Sequence, residues 1–213
     1  MSFLVDSPTE LSTAATDFIL AFLAFSFLVA IRRTSPENSR SILWQSLFAS
    51  LGLSSLLGTL AHGVRMSHTL NTLLWQPLYF FLGLTLTLLA AVAIHDLRGD
   101  EVARRFLPWL LLLPFGVVAT TWLLGGSFIY FILFEALIMA FALVVYLQIS
   151  ARRQSPGSGM ILGGILISIM AAVVQAAGPF TVHAVFLFDH NGLFHLVQMV
   201  GVVCFYAGAK RKV

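Results

Sequence analysis

The sequence has little charge for its length. Asp, Glu, Lys and Arg make up 10% of the 213 residues, against about 25% in soluble globular domains. Hydrophobic residues make up 59%, and the mean hydropathy is +0.93. This composition excludes a soluble domain and predicts one integral membrane domain over residues 1–213. The net charge of +3 does not indicate nucleic-acid binding, because the basic residues lie in short flanks between apolar runs and form no patch.

Other scarce residues and motifs exclude further classes of protein. Cys204 is the single cysteine, so no intrachain disulfide can form. The only lysines, Lys210 and Lys212, follow the last apolar run, which excludes a retinal protein with a Schiff-base lysine inside its last helix. The sequence contains no P-loop, CxxC pair or nucleophile elbow. The acidic amino terminus lacks a basic n-region, and we therefore expect no cleaved signal peptide of the usual type.

The apolar residues form seven runs that are long enough for membrane-spanning helices. The predicted spans are approximately 13–31, 41–64, 73–94, 106–124, 128–149, 157–177 and 192–209. Because the alternating pattern of a barrel is absent, the prediction is an all-α bundle of seven transmembrane helices. Pro114 should kink the fourth helix. Segment 178–191 is too apolar for an ordinary loop; it should lie along the interface, cover the mouth of the bundle as a lid, or prolong a neighbouring helix.

The basic residues indicate an orientation. Eleven of the twelve Lys and Arg residues fall in segments 32–40, 98–105, 152–153 and 210–212, on one side of the predicted bundle, and only Arg65 falls on the other. The positive-inside rule then places the amino terminus outside and the carboxyl terminus in the cytoplasm. The predicted location is a multi-pass position in a bacterial inner (plasma) membrane.

This orientation places polar residues from several spans at one depth in the outer half of the bundle. On the last span, Asn191, His195 and Gln198 have the spacing i, i+4, i+7 and share one helical face. Buried polar groups at membrane depth are expected to face the interior and to bind one another, a metal or a ligand. The predicted pocket, open to a lipid-like or small-molecule ligand from the outer leaflet, comprises Asp17, Thr59, His62, Gln76, Glu135, Gln175, Asn191, His195 and Gln198.

Several of these residues also have structural interpretations. Glu135 is a candidate general base or metal ligand, or a protonated group that bonds a neighbour such as Gln175. His62 is a candidate ligand or an interfacial residue, and the Thr59 hydroxyl can bond its own helix carbonyl. Asp189 and Asn191 are favoured as N-caps of the last helix. The Gly159/Gly163 pair is a GxxxG pattern and indicates close packing inside the bundle more than a dimer.

The stretch Asn191-Gly192-Leu193-Phe194-His195-Leu196-Val197 resembles the helix-seven motif of a superfamily of seven-helix membrane hydrolases, which includes alkaline ceramidases and the progestin and adipoQ receptors. His62 stands at the place of that superfamily's helix-two ligand. The resemblance implies zinc held by His62 and His195, with His190 as a third candidate ligand. It also implies hydrolysis of a lipid amide or ester, with Glu135 or Asp17 as the base.

The sequence departs from this superfamily at three of its functional positions. Asn191 replaces the first histidine of the helix-seven pair, Gly58 replaces a serine, and Gln76 stands roughly where an aspartate is expected. Two other functions therefore remain open. One is a non-enzymatic receptor, sensor or accessory subunit with a degenerate site. The other is a cytochrome with His62 and His195 as axial haem ligands.

Overall fold

The computed structural model describes residues 3–35, 37–124, 128–152 and 155–211, and most of this chain is helical. The helices and strands are α1 (Pro8–Thr34), α2 (Ser39–Gly63), α3 (His68–Arg98), α4 (Asp100–Leu110), α5 (Leu113–Leu123), α6 (Ile129–Ala151), α7 (Ser158–Ala176), β1 (Thr181–His183), β2 (Leu187–Asp189) and α8 (His190–Lys210). Arg153 and Lys212, two of the basic residues that indicate the orientation, lie outside the described residues.

Within this part of the chain, seven helical units are long and apolar enough to cross a membrane. Six are single helices, and α4 and α5 together form the seventh, over Asp100–Leu123. The predicted all-α architecture with seven candidate spans is confirmed, and the chain is a multi-pass membrane protein.

Five of the seven spans begin earlier than predicted and four end later, because hydropathy detects the hydrocarbon-spanning part and not the capped ends. α1 shows the effect most clearly. Ser7 is its N-cap, Pro8 occupies the first helical position, and the Glu10 amide donates to Ser7 Oγ over 3.4 Å. Proline at the first position and a Ser-x-x-Glu pattern both favour a helix start here. The helix therefore begins five residues before the predicted start at residue 13.

The kink predicted in the fourth span takes the form of a break between α4 and α5. Leu111 and Leu112 separate the two helices, and Pro114 lies in the first turn of α5. Proline has no N–H to donate to the carbonyl four residues earlier, which is that of Leu110. The chain resumes its helix when the Gly116 amide donates to the Leu112 carbonyl over 3.2 Å.

Residues 181–189 form a β-hairpin, so the predicted helix extension is wrong for this stretch, whereas its position along the interface or over the mouth of the bundle stays a prediction. β1 and β2 pair in antiparallel register, with Val182 opposite Phe188. The Ser12 hydroxyl in α1 lies 2.8 Å from the carbonyl oxygens of both Thr9 and Leu187, so α1 contacts the second strand. Asp189 then caps α8, accepting from the Gly192 amide over 2.8 Å. Asn191, also favoured as a cap, lies inside the helix instead.

Contacts between helices define two ends of the bundle. At the amino-terminal end, the starts of α1 and α3 contact the carboxyl-terminal end of α2, and the start of α8 contacts α1. At the opposite end, which we call the basic end, Arg40 at the start of α2 reaches Asp96 near the end of α3 and the Ala209 carbonyl at the end of α8. A core of buried aliphatic and aromatic side chains lies between the two ends, with Trp44, Phe48 and Tyr146 as its largest members.

Helices α7 and α8 pack closely, but not through the predicted GxxxG pair. A Cβ atom on Gly159 or Gly163 would have no neighbour within 4 Å. The close approach occurs instead at Gly164, where a Cβ would lie 2.7 Å from the Phe205 ring and 3.0 Å from the Gly201 carbonyl oxygen. The GxxxG pattern therefore identified the correct helix and the wrong face.

Candidate functional site

A cavity of about 400 Å³ opens between α1, α2, α3, α6 and α8, within the usual volume range of small-molecule sites. We call it the main cavity. Its ionisable and amide-bearing lining residues lie towards the amino-terminal end of the bundle: Asp17, His62, Glu135, Gln175, His190, Asn191, His195 and Gln198. Its aliphatic lining extends from there towards the middle of the bundle: Leu20, Leu47, Leu51, Leu82, Leu86, Leu89, Met139 and Val202.

The part of the main cavity nearest the middle of the bundle is lined mainly by aliphatic side chains. Ser54 and Thr85 line it, but their hydroxyls donate to the carbonyls of Leu51 and Phe81 in their own helices, each over 2.8 Å. On α3 the lining extends from Trp75 to Leu89, a rise of roughly 20 Å at 1.5 Å per residue. The cavity is therefore long, and its carboxyl, imidazole and amide groups lie at one end only.

Asp17 and His195 form a buried pair in the polar part of the cavity. Asp17 Oδ1 lies 3.4 Å from His195 Nε2, and the two residues are 5% and 8% exposed. On the other side of the ring, Nδ1 lies 3.1 Å from Thr16 Oγ1. The Thr16 hydroxyl already donates its only proton to the Thr13 carbonyl over 2.8 Å. It must therefore accept a hydrogen bond from His195 Nδ1–H.

The opposite ring nitrogen of His195, Nε2, lies beside the Asp17 carboxyl. With Nδ1 protonated, a neutral imidazole carries a lone pair on Nε2, and that lone pair faces the Asp17 carboxyl. Two lone pairs this close would repel each other. The arrangement is stable when Asp17 and His195 share a proton, as an acid facing a neutral ring or as an ion pair. Such a pair can accept and return a proton.

A glycine makes room for the Asp17 carboxyl group. A Cβ atom on Gly58 of α2 would overlap the carboxyl of Asp17, and its three nearest atoms all belong to that group. The carboxyl therefore lies directly against the backbone of α2. Gly58 is the position where the superfamily resemblance leads one to expect serine.

His62 lines the cavity beside this pair but has its own carboxylate partner. Its Nδ1 lies 2.7 Å from Glu10 Oε2. The ring also meets Trp75 edge-on, with centroids 5.6 Å apart. Two of its surfaces are thus occupied by residues of α1 and α3.

Glu135 and His190 contribute the unpartnered polar groups of the cavity. Glu135 is 8% exposed, and in the described part of the chain its carboxyl has no hydrogen-bond partner. The expected partner, Gln175, donates instead to Asn191 Oδ1 over 3.3 Å. His190 Nδ1 is also buried and has no partner among the described residues. A buried polar group without a partner is costly, so both groups are available to a bound molecule.

Two residues of the predicted pocket lie outside the main cavity. The Thr59 hydroxyl donates to the Ser55 carbonyl over 2.9 Å, as the structural interpretation expected. Gln76 lines a separate shallow groove between α3 and α5, beside Phe80 and Phe115. Gln198 and Asn191 line the main cavity, as does every predicted catalytic and metal-binding residue.

The donor atoms do not fit a zinc ion in this arrangement. Zinc takes three or four nitrogen, sulfur or carboxylate oxygen donors in a tetrahedral shell. Among the described residues, no three His, Cys, Asp or Glu side chains are gathered closely enough to hold a metal ion. Glu10 and Asp17 separately engage the two histidines that the resemblance would assign as ligands.

Sequence reasoning missed Glu10 and Thr16, which are the partners of His62 and His195. The Ser7-Pro8-Thr9-Glu10 pattern could have shown that α1 starts early enough to include Glu10. No signal within α1 identifies Thr16, because its role depends on α8 lying beside α1.

Comparison with known proteins places this arrangement in a family. The model of a family of unknown function, DUF6962, matches residues 12–213. The chain belongs to the DUF6962 family. No curated protein and no solved structure matches the chain. The DUF6962 match includes every residue that lines the main cavity, whereas Glu10 precedes it.

Proposed function

We propose that this protein binds a long-chain amphiphile in the main cavity, with the head group at the amino-terminal end and the chain in the aliphatic part. The observation that carries the proposal is the single long cavity, which joins buried ionisable groups to an aliphatic wall. We further propose that this end faces outwards, so that the ligand enters from the outer leaflet of a bacterial inner membrane.

The polar end supports selection of the head group. Transfer of a hydrocarbon chain from the bilayer into the cavity contributes little, because lipid tails are as apolar as leucine. Discrimination must then come from the unpartnered Glu135 carboxyl and His190, together with the Asp17–His195 pair. Carboxyl oxygens accept hydrogen bonds. The preferred head group carries O–H or N–H donors, as alcohols, amides and amines do, and a carboxylate head is disfavoured.

A thermal-shift experiment tests this proposal. The full chain is purified in mild detergent, and its unfolding temperature is measured with a long-chain alcohol, amine or fatty acid of equal chain length. We expect the alcohol and the amine to stabilise the wild type and the fatty acid to have little effect. Glu135→Leu should abolish the shift, whereas Glu101→Leu, on the exposed surface of α4, should retain it. Equal shifts in both variants, or equal shifts for all three ligands, would contradict the proposal.

A second candidate function, hydrolysis of a lipid amide or ester, is favoured by the Asp17–His195 pair. In its unprotonated state, with Asp17 as a carboxylate beside a neutral His195 ring, the pair would accept a proton from the water that attacks the carbonyl carbon. That proton would then pass to the leaving nitrogen or oxygen. We expect Asp17→Asn to abolish turnover of an acyl amide or ester. Turnover that persists in Asp17→Asn would remove the pair from catalysis.

Elemental analysis of the purified protein separates this reaction from the zinc chemistry implied by the resemblance. About one zinc per chain, lost in both His62→Ala and His195→Ala, would establish a zinc site and would require the rings to turn away from Glu10 and Asp17. An absorption spectrum of the same sample tests the cytochrome interpretation, since a bis-histidine haem gives a Soret band.

A further inference from the structure

A second cavity, of about 650 Å³, lies at the basic end of the bundle, away from the main cavity. We call it the basic-end cavity. The ends of α1, α3 and α8 and the starts of α2 and α4 surround it, and Ser155, just before α7, closes one side. We propose that it binds a phosphate group, supplied either by an anionic lipid head group or by a free phosphate.

The first observation is a set of buried hydrogen-bond donors that lack acceptors. Trp44 borders the cavity and is 1% exposed, yet its Nε1–H has no acceptor in the described part of the chain. Ser155 is 9% exposed, and its hydroxyl also lacks a partner there. An indole nitrogen can only donate, and a buried donor without an acceptor is unfavourable. Both groups would be satisfied by an acceptor in the cavity.

The second observation is a guanidinium held rigidly at the same cavity. Arg40 donates from Nε to Asp96 Oδ1 over 2.7 Å and from Nη2 to Asp96 Oδ2 over 3.0 Å. Its Nη1 donates to the Ala209 carbonyl over 3.1 Å. These contacts use three of its five N–H groups. Two N–H groups of the Arg40 guanidinium remain free to donate. Because the guanidinium is planar and held in place, these N–H groups suit the recognition of phosphate oxygens.

The balance of charge around the cavity favours an anion. Three carboxylates border it, and two of them are in ion pairs with arginines. Asp96 accepts from Arg40 and from the Tyr146 hydroxyl over 2.9 Å. Asp100 Oδ2 pairs with Arg104 over 2.8 Å, whereas Asp100 Oδ1 has no hydrogen-bond partner among the described residues. Lys210 and Arg211 also border the cavity, and Lys210 Nζ lies 5.8 Å from the centroid of the Tyr206 ring. The third carboxylate, Glu37, is exposed and has no ion pair among the described residues. His95 also borders the cavity and lies between Asp96 and Asp100.

Lipid retention and thermal stability of the purified full chain test the proposal. Native mass spectrometry in neutral detergent counts molecules of phosphatidylglycerol or phosphatidylcholine held per chain, and the unfolding temperature is measured with inorganic phosphate. For a lipid source, we expect about one phosphatidylglycerol per chain and no equivalent phosphatidylcholine. For a free source, inorganic phosphate alone should raise the unfolding temperature. If neither occurs, the proposal is wrong.

Conservative variants identify the contacts. Trp44→Phe removes the N–H while keeping an aromatic ring, and it should weaken binding of the phosphate group about ten-fold. Lys210→Gln and Ser155→Ala should each weaken it as well, and they test the site even if Trp44→Phe fails to fold. Trp109→Phe, at a ring that is 70% exposed on α4, is the matched control and should bind like the wild type. Binding unchanged in Trp44→Phe, Lys210→Gln and Ser155→Ala would overturn the assignment.

Discussion

At the residue scale, the candidate site depends on the absence of a side chain at Gly58. The Asp17 carboxyl occupies the space that a Cβ atom would fill, and this placement holds it 3.4 Å from His195 Nε2. Thr16, one residue earlier on α1, fixes the opposite edge of the same ring. Two consecutive residues of α1 thus orient one imidazole of α8, with α2 as the surface behind them.

Gly58→Ala should therefore displace Asp17 without changing any titratable group. Alanine is favoured over glycine in a helix by about 1 kcal/mol. The added methyl group should therefore displace the Asp17 carboxyl without destabilising α2. We expect Gly58→Ala to remain folded and to lose the stabilisation by a long-chain alcohol. Thermal unfolding with and without that ligand measures both effects.

Gly116→Ala is the matched control, because a Cβ at Gly116 in α5 would have no neighbour within 4 Å. It should bind ligand like the wild type. Wild-type binding in Gly58→Ala would show that the position of the Asp17 carboxyl is not required.

The sequence predicts those site residues that are polar within an apolar run. It does not predict which residues they contact. Asp17, Glu135 and His195 stand out because each interrupts an apolar run, and all three line the main cavity. The partnership of His195 with Thr16 depends on α1 lying against α8, which no local pattern encodes. Likewise, the sequence does not show that position 58 must lack a side chain, because that requirement arises from the Asp17 carboxyl that lies against it.

At the scale of helices, α7 and α8 show how small residues bring two backbones together. Gly164 faces Phe205 and the Gly201 carbonyl, and Gly201 in turn faces the Ser168 hydroxyl oxygen, 3.0 Å from where its Cβ would lie. In a bilayer such close packing replaces the hydrophobic driving force that is available in water. The α7–α8 contact is therefore a sensitive part of the bundle.

Gly164→Leu and Gly159→Leu form a matched pair that tests this contact. The first places a large side chain against Phe205 and should lower the unfolding temperature or prevent folding, because overpacking costs about 1–3 kcal/mol or more. The second adds the same side chain at an open position of the same helix. It should unfold like the wild type when followed by circular dichroism. A loss of stability in Gly159→Leu alone would instead indicate that the GxxxG face packs against another molecule.

The number and type of the spanning helices could be read from the sequence, because hydropathy reports burial in hydrocarbon directly. The hairpin over 181–189 could not. Its residues are apolar, but its position is set by the Ser12 and Thr13 hydroxyls, which contact the Leu187 carbonyl and Asp189 Oδ1. Those contacts join parts of the chain more than 170 residues apart.

At the scale of the whole molecule, the two ends of the bundle differ in chemistry. The amino-terminal end combines carboxyl groups and imidazoles around a long apolar cavity. The basic end holds most of the Lys and Arg residues and a cavity with unpartnered donors. We propose from the positive-inside rule that this difference orients the chain, with the basic end in the cytoplasm.

Cysteine labelling tests that orientation. In a Cys204→Ala background, His183→Cys places a thiol in the exposed hairpin at the amino-terminal end, and Thr34→Cys places one at the exposed basic end of α1. We expect a membrane-impermeant maleimide to label His183→Cys in intact cells. Thr34→Cys should react only after the membrane is permeabilised.

The reverse pattern would contradict the positive-inside assignment and would change both proposed sites. The main cavity would then take its ligand from the cytoplasmic leaflet. The basic-end cavity would face the outside, where the leaflet lacks the anionic surface potential that concentrates cations on the cytoplasmic side. Labelling of both thiols in intact cells would indicate mixed insertion, and labelling should then be repeated with Arg65→Gln. Removing the one basic residue at the amino-terminal end should restore a single orientation if charge asymmetry sets it.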